Sequence, residues 1–591
     1  MASNMMPIPM EDLNDSTTSL FARRDMVDGS NSTLAPTLQP HDAHPQSDIQ
    51  PVPPGQRGFT FWMVFISTLL VDMLSAIDLT AVATTLPTIV ERLHGDDFIW
   101  AGGAYTIAST AVLPLVGGLV EGFGRKSILL TFICFFCVGS VLCGTAVSMR
   151  MLILGRAIQG LGSGGSMSVT DIIFADMVPL PERGKFQGIA AAVWALASAV
   201  GPTIGGALAT NGKWRWLFFL NLPLCALATV FICLFFHSHV PATSFKSKLL
   251  SMDWIGNAII ILSTVLVLLA LTWGGIHFPW ESPQVLVPLI IGAIGIVLFF
   301  VAERLWLKTP TIPDFFFTNR TVLSGYLGTF FHGVVSLSAV YYLPVYLQAA
   351  KDTSALHAGI DSFGLSFTIP AFAIFTGLSV EIFNKYRPQN YVGWMFTVVG
   401  FGLFTLLDPK SSAKMYIGFQ IPLGIGLGIL WISTQFPILA PLPYSNSAYA
   451  LAFWMFVRNF AQSWGIVTGG AIVQNVLTQR LPAAYLVTLP RNREFAYAII
   501  PQIRKLPEPL KEQVREAFAD GTRLVWWVMF GMSVAGLATC LLMREEEMKT
   551  SMDETWALQE TAKVKAVQGK DRDADEGVHP EGERQKVRAE V

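Results

Sequence analysis

Long apolar stretches recur between residues 59 and 543 of this chain, and no other feature so narrows what it can fold into. Each runs for about 17 to 25 residues, enough for a helix rising 1.5 Å per residue to cross a hydrocarbon layer roughly 30 Å thick. They lie near 59–82, 98–120, 128–147, 151–173, 187–209, 215–236, 254–274, 284–303, 322–347, 356–379, 391–407, 414–440, 448–473 and 522–543. In lipid the backbone has to satisfy its own hydrogen bonds, so segments of this length predict helices. The expectation is an all-α membrane protein with 14 transmembrane helices. Composition excludes a soluble domain: 52% of the 591 residues are hydrophobic, 14% are charged, and the mean hydropathy is +0.49. The net charge of −2, with no basic cluster among aromatics, excludes nucleic acid as a partner. The lipid bilayer is the partner this surface calls for, and no obligate protein partner is evident.

Residues 1–57 are rich in Ser, Thr, Asp, Pro and Asn and are expected to be a disordered tail without a signal peptide, as is the charged segment 544–591. An even number of spans puts both tails on one side. Short loops on that side carry more Lys and Arg than those opposite, Arg125, Lys126, Arg183 and Lys185 among them, which makes the tails cytoplasmic. The long outer loop, about 476–521, runs against that bias, and its stretch Pro509–Phe518 has the periodicity of a helix lying on the outer membrane surface. All six cysteines fall in apolar stretches. Cys134 and Cys137 make a C-x-x-C spacing but have no second Cys or His pair nearby, so no metal and no cofactor is expected.

The chain also repeats itself. Gly117-Gly-Leu-Val-Glu121-Gly-Phe123-Gly124-Arg125 matches Gly377-Leu-Ser-Val-Glu381-Ile-Phe383-Asn384-Lys385 at an offset of 260. Gly160-x-Gly162-x-Gly164 matches Gly424-x-Gly426-x-Gly428, and Gly201-Pro202-Thr-Ile-Gly205-Gly206-Ala207 matches Gly465-Ile-Val-Thr-Gly469-Gly470-Ala471, both at 264. Three matches in one order predict two homologous halves of six helices, with helices 7 and 8 inserted between them. The domains expected are 58–240, 241–320 and 321–543, flanked by the tails. Parallel repeats of this kind build alternating-access carriers whose substrate site lies near the midplane between the halves.

Charges inside the spans mark candidate sites, because an ionised group there costs about 2.5 kcal/mol or more on insertion scales and faces a partner or a wet cavity. Arg156 in helix 4 shares a face with Gly160 and with Gln159, which is read as a candidate lining of the substrate cavity. Asp72 and Asp78 in helix 1 are about 240° apart around the helix, so they cannot both face one site. Asp72 is read as a substrate contact or as the lining of a wet crevice. In helix 13, Arg458, Asn459 and Gln462 form a polar patch, the candidate substrate or coupling contact of the second half. Gly201, Gly205 and Gly206 put small residues on one helix face for close packing, with Pro202 bending the helix. The chain has no G-x-x-x-x-G-K-[ST], which argues against ATP as energy source, and no G-x-S-x-G or H-E-x-x-H, so it is not read as an enzyme. The run Gly160–Gly165 mimics a dinucleotide fingerprint but lies inside a membrane helix rather than after a strand.

The segments Gly117–Lys126, Gly155-Arg156-Ala-Ile-Gln159-Gly160-Leu-Gly162-Ser-Gly164-Gly165, Gly201-Pro202-Thr-Ile-Gly205-Gly206, Trp214-Arg215-Trp216 and Asn221-Leu-Pro223 resemble the signature motifs of the major facilitator superfamily. With Asp78-Leu-Thr80 leading to Leu86-Pro87, they resemble its fourteen-spanner drug:proton antiporter branch, in a fungal form, over roughly residues 59–543. The resemblance implies a major facilitator fold and proton-coupled export of small amphipathic compounds such as drugs, toxins or secondary metabolites. The alternative is an importer or vacuolar carrier of siderophores or basic amino acids. It also implies that Arg156 and Asp78 serve proton coupling and that the Gly201–Gly206 motif is typical of exporters. The loop after helix 2 departs from the family pattern, with Glu121 where Asp is usual and Gly122 where a base is usual. Glu121, Arg125 and Lys126 are still expected to form an interdomain latch with Asp176, repeated by Glu381 and Lys385 in the second half. Small-molecule substrate and protons are the remaining partners implied. The expected location is the plasma membrane, with the vacuolar membrane as the alternative.

Overall fold

A computed structural model of the chain describes residues 57–93, 100–237, 252–275, 278–305, 319–443, 446–486, 496 and 499–548. The expected disordered tails, 1–57 and 544–591, lie almost wholly outside the described residues, as does residue range 487–495 of the outer loop. The long helices are α1 (Phe59–Leu93), α2 (Trp100–Phe123), α3 (Arg125–Gly144), α4 (Met149–Met177), α5 (Leu180–Thr210), α6 (Arg215–Phe235), α7 (Trp254–Trp273) and α8 (Pro283–Leu305). They continue with α9 (Arg320–Ala349), α10 (Phe363–Phe383), α11 (Arg387–Phe404), α12 (Ala413–Ser433), α13 (Ser447–Arg480) and α14 (Leu510–Thr539).

Among the described residues, 11 helices are long and apolar enough to cross a membrane, which makes this an all-α multi-pass membrane protein. Of the fourteen spans expected, these 11 are shown, and α4, α11 and α13 stay outside that group. Their own sequences explain why. α4 contains Arg156 and Asp171, α13 contains Arg458, Asn459 and Gln462, and α11 is only 18 residues long and opens on Arg387-Pro-Gln-Asn. A correction concerns Pro509–Phe518, which is no separate surface helix: Leu510–Phe518 is the first part of α14. Val514, Ala517 and Phe518 are buried on its inner side, and Arg515 Nε donates to the Ala350 carbonyl at 2.9 Å. Lys511 and Arg504 both reach Asp352, at 2.7 and 3.1 Å, fastening this end of α14 to the loop after α9.

The packing follows the repeat. In the first half α1 lies on α5 and α6, α4 on α2 and α3, and α3 on α6; in the second, α9 lies on α13 and α14, α12 on α10 and α11, and α11 on α14. Glycines set the close approaches that side-chain packing in lipid depends on. A methyl group at Gly160 would stand 2.3 Å from the Tyr105 carbonyl oxygen, one at Gly164 2.2 Å from that of Ser109, and one at Gly162 2.4 Å from the Phe136 nitrogen. Thus α4 touches α2 on one face and α3 on the other, backbone to backbone. At the α2–α3 junction Gly124 takes φ 86, a positive value that suits Gly, and its repeat mate Asn384 takes φ 51 in the left-handed conformation that Asn tolerates at helix ends.

Between the halves, α2 packs on α13 and α5 on α10, with α4 also on α13 and α5 also on α12. The tightest of these contacts gather on the face where α1 begins, here called the tail face. Gly184 meets Gly377 and Gly188 meets Ile374 across α5 and α10, and Gly117 meets Tyr449 across α2 and α13. Lys185 pairs with Glu381 at 3.6 Å. Gln435, in the two-residue break that ends α12 before Phe436–Leu439, donates to the side chain of Gln187. The pair α7–α8 packs on itself, and α7 also lies against α2 and α13, through Val267, Leu268 and Leu271 on Ile107, Phe460, Trp464 and Val467.

Candidate functional site

One buried network in the first half gathers the charges that sequence reasoning singled out. Asp78 on α1 and Arg156 on α4 are 0% and 1% exposed, and Arg156 Nη1 donates to Asp78 Oδ2 at 2.5 Å. The other carboxylate oxygen accepts from Gln159 Nε2 and from Asn221 Nδ2, each at 2.8 Å. Gln159 also accepts from Arg156 at 2.7 Å and donates to Ser140 at 2.9 Å. Arg156 Nε donates to the Ala101 carbonyl at 2.9 Å, and the guanidinium lies 4.2 Å from the centroid of the Tyr105 ring. Four helices besides α1 therefore contribute to holding one carboxylate: α2, α3, α4 and α6. Gln159 was expected to line a cavity, but it is wholly buried as a member of this network.

The packing around Asp78 depends on Gly201. A methyl group there would stand 2.0 Å from Thr80 Oγ1 and 3.1 Å from the Ile77 carbonyl, so α5 presses on the very turn of α1 that carries Asp78. The same test at Gly206 finds no atom within 4 Å, so the shared role expected of these glycines is not shared equally. Gly205 is buried, and the Pro202 side chain lies outside the described residues. Gly201→Leu is accordingly expected to lower transport about tenfold or more while Gly206→Ala changes it less than about twofold, an overpacking cost confined to one position. Transport rates normalised to membrane-inserted protein check this, and equal effects at both positions would refute it.

Asp72, 7% exposed, occupies a separate place, as the helical arc between the two aspartates requires. Its carboxylate accepts from Thr170 Oγ1 at 3.1 Å and sits within electrostatic reach of Asp171. Asp171 was missed at the sequence level. It stands inside the apolar run of helix 4, where the rule applied to Arg156 flags it equally. Asn221 was quoted only as part of a motif, and nothing in the sequence tied it to Asp78.

The expected latch takes a different form. Arg125 donates from Nε to Asp176 at 2.9 Å and from Nη2 to Glu121 at 2.8 Å, and Lys126 donates to the Cys233 carbonyl at 2.9 Å. All of these residues belong to the first half, so this ion pair ties α2, α3, α4 and α6 together. Among the described residues the ion pair between the halves is Lys185 with Glu381, while Lys385 is exposed on the tail face. Gly117 does stand at the half-to-half boundary, against Tyr449.

In the second half, the 264 offset pairs Arg156 with Gln420. That neutral side chain donates to the Asp361 and Tyr416 carbonyls and accepts from Leu365 N–H, all local backbone groups. No ion pair equivalent to Asp78–Arg156 stands there among the described residues. The charge of this half sits one helix away. Arg458 on α13 is 4% exposed and stacks on Trp431 of α12 with its guanidinium carbon 3.7 Å from the ring centroid, and on Trp454 at 4.8 Å. Asn459 and Gln462 beside it are half-buried.

Comparison with known proteins agrees with this architecture. The chain is 36% identical over 523 residues to the efflux pump FUS6 of Gibberella fujikuroi, covering 87% of this chain and 94% of that protein. It is 36% identical to the MFS-type efflux pump LUC4 of a Fusarium species, covering 90% and 95%. Among solved structures, the human organic anion transporter MFSD10 superposes with a TM-score of 0.53 at 13% identity, over 80% of this chain and 99% of that one. The proton:xylose symporter XylE gives 0.50 at 14%, over 85% and 98%. At such identities these two speak for the fold alone. The profile of the Major Facilitator Superfamily matches residues 68–469, and with the mirrored six-helix packing, the glycine-welded α4 and the relatives just named, the chain belongs to that superfamily.

Proposed function

We propose that this protein is a secondary transporter that exports small amphipathic organic compounds in exchange for protons by alternating access. In this reading α4, α11 and α13 also cross the membrane, giving fourteen spans with both tails cytoplasmic. Residues 58–240 and 321–543 are the two moving halves, and 241–320 is an insertion. The observation that carries the proton coupling is the sealed Asp78–Arg156 pair. A carboxylate held by a cation in a dry interior binds a proton only when the packing around it opens, which links protonation to conformation. Among the described residues such a pair stands in the first half and not in the second. The direction of transport rests on the kinship with fungal efflux pumps and on the exporter-type Gly201–Gly206 motif. Contact between the halves on the tail face corresponds to a carrier closed toward the cytoplasm.

Cells that express the protein are expected to accumulate less of a transported compound than cells lacking it, and a protonophore is expected to erase the difference. A panel of fluorescent amphipathic compounds followed by flow cytometry makes the measurement. Gradient-dependent uptake would overturn the exporter reading and establish an importer.

A further inference from the structure

Four arginines are buried among the described residues, and the two that lie inside long helices away from their ends, Arg156 and Arg458, differ in one respect that the coupling scheme leaves unused. Arg156 is neutralised by direct contact with Asp78. Arg458 is almost as deeply buried, yet among the described residues no carboxylate lies within 4.0 Å of it. Among the described residues its Nη2 donates to the Trp431 carbonyl at 3.1 Å, and Nε has no acceptor. One helical turn away, on the same face of α13, the indole N–H of Trp454 is also buried without an acceptor. Buried donors without acceptors are uncommon in native proteins, and a buried cation without a touching anion is costlier still. The negative charge that acts on Arg458 is Asp171 of α4, across the boundary between the halves, and it engages Gln187 with its own carboxylate.

We propose that Arg458, stacked on Trp431 and Trp454, is the cargo's anchor and that it selects organic acids, taking the carboxylate of a flat aromatic or amphipathic molecule. The inference rests on the transporter reading and names its substrate class. A planar guanidinium presents a fork of N–H donors that matches a carboxylate, and the unused Nε belongs to that fork. The Trp454 N–H adds a third donor, and the indole faces that support the guanidinium favour an apolar, aromatic body next to the acid. Gln462, on the same face of α13, and the adjacent Asn459 are half-buried and add neutral donors. A cationic cargo would find like charge here and pay for desolvation without a partner.

The test is equilibrium binding to the purified full-length protein in detergent at neutral pH, without any gradient, read by tryptophan fluorescence and calorimetry. The probes are 1-naphthoate, 1-naphthamide and 1-naphthylmethylammonium, which share one ring system and differ in charge. The acid is expected to bind about tenfold more tightly than the amide, a difference of about 1.4 kcal/mol, with the amine weakest. Arg458→Gln is expected to erase the acid's advantage, and Arg458→Lys to keep part of it, with thermal unfolding confirming that each variant is folded. Equal or tighter binding of the amide or amine, an acid preference that survives in Arg458→Gln, or no binding of 1-naphthoate would overturn the proposal. If Arg458→Gln does not fold, the wild-type series and Arg458→Lys decide. Because no gradient is present, failure here leaves the export reading standing, while loss of export with the acid preference intact refutes only the export reading.

Discussion

Asp78→Asn is expected to abolish uphill transport, lowering the gradient-driven rate by about a hundredfold or more, while the protein still folds and inserts. The amide is close in size to the carboxylate, and its oxygen can still accept from Gln159, Asn221 or Arg156, so the packing of α1 on α4 and α6 has a substitute acceptor. What is lost is the proton site. Substrate exchange across membranes with equal pH on both sides needs no net proton movement and is expected to persist. The substitution also leaves Arg156 buried without its counter-charge, a loss of about 3–5 kcal/mol when one partner of a buried pair is removed. Arg156→Gln introduced alongside removes that orphaned charge, so the double variant is expected to be more stable than Asp78→Asn alone yet equally unable to pump. Proteoliposomes with and without an imposed pH gradient separate the two activities. Wild-type uphill rates in Asp78→Asn would make Asp78 structural and move the search to Asp72 and Asp171.

Bridging the halves on the tail face is expected to stop transport outright. Lys185 on α5 and Glu381 at the end of α10 are 3.6 Å apart at their charged ends, next to the backbone contact of Gly184 with Gly377. Lys185→Cys together with Glu381→Cys, joined by a short bifunctional maleimide, holds that face shut. If the halves rock about their common interface, as parallel-repeat carriers do, a closed tail face blocks every cycle. The cross-linked protein is expected to lose about nine-tenths or more of its transport, whereas each single cysteine variant treated alike keeps most of it. Untreated, the double variant loses only a partly exposed ion pair, which contributes about 0–1 kcal/mol. Full transport after complete cross-linking would show that the halves do not separate there.

The sequence carried the architecture because membrane crossing and gene-length repetition both leave long signals. Apolar length located every long helix, and the glycine matches at 260 and 264 foretold a packing scheme that α1–α6 and α9–α14 both follow. Apolar length alone speaks less clearly for α4, α11 and α13, whose polar residues set them apart, and the case for their crossing rests on the repeat instead. The long charged start of α14 was split off because an apolar window cannot see a helix that continues beyond the membrane. At the site, Asp78 and Arg156 were legible because a charge in an apolar run is conspicuous. Asn221 was not, since a neutral amide near a helix end has many ordinary uses. The latch was legible in its partners, since Arg125 does meet Asp176, but both stand in the first half, so the pair does not join the two halves.

The position of α7 makes the two sides of the molecule unequal toward lipid. Two seams run between the halves, one where α2 meets α13 and the other where α5 meets α10. Because α7 packs on both α2 and α13, and α8 packs on α7, the first seam lies behind an extra layer of helices. The second has no such layer among the described residues, and Leu196, Val200, Phe363 and Phe367 of α5 and α10 stay exposed as an apolar face. Toward lipid the second seam is therefore the barer of the two among the described residues, and the inserted pair turns a carrier with twofold-related halves into one with a front and a back.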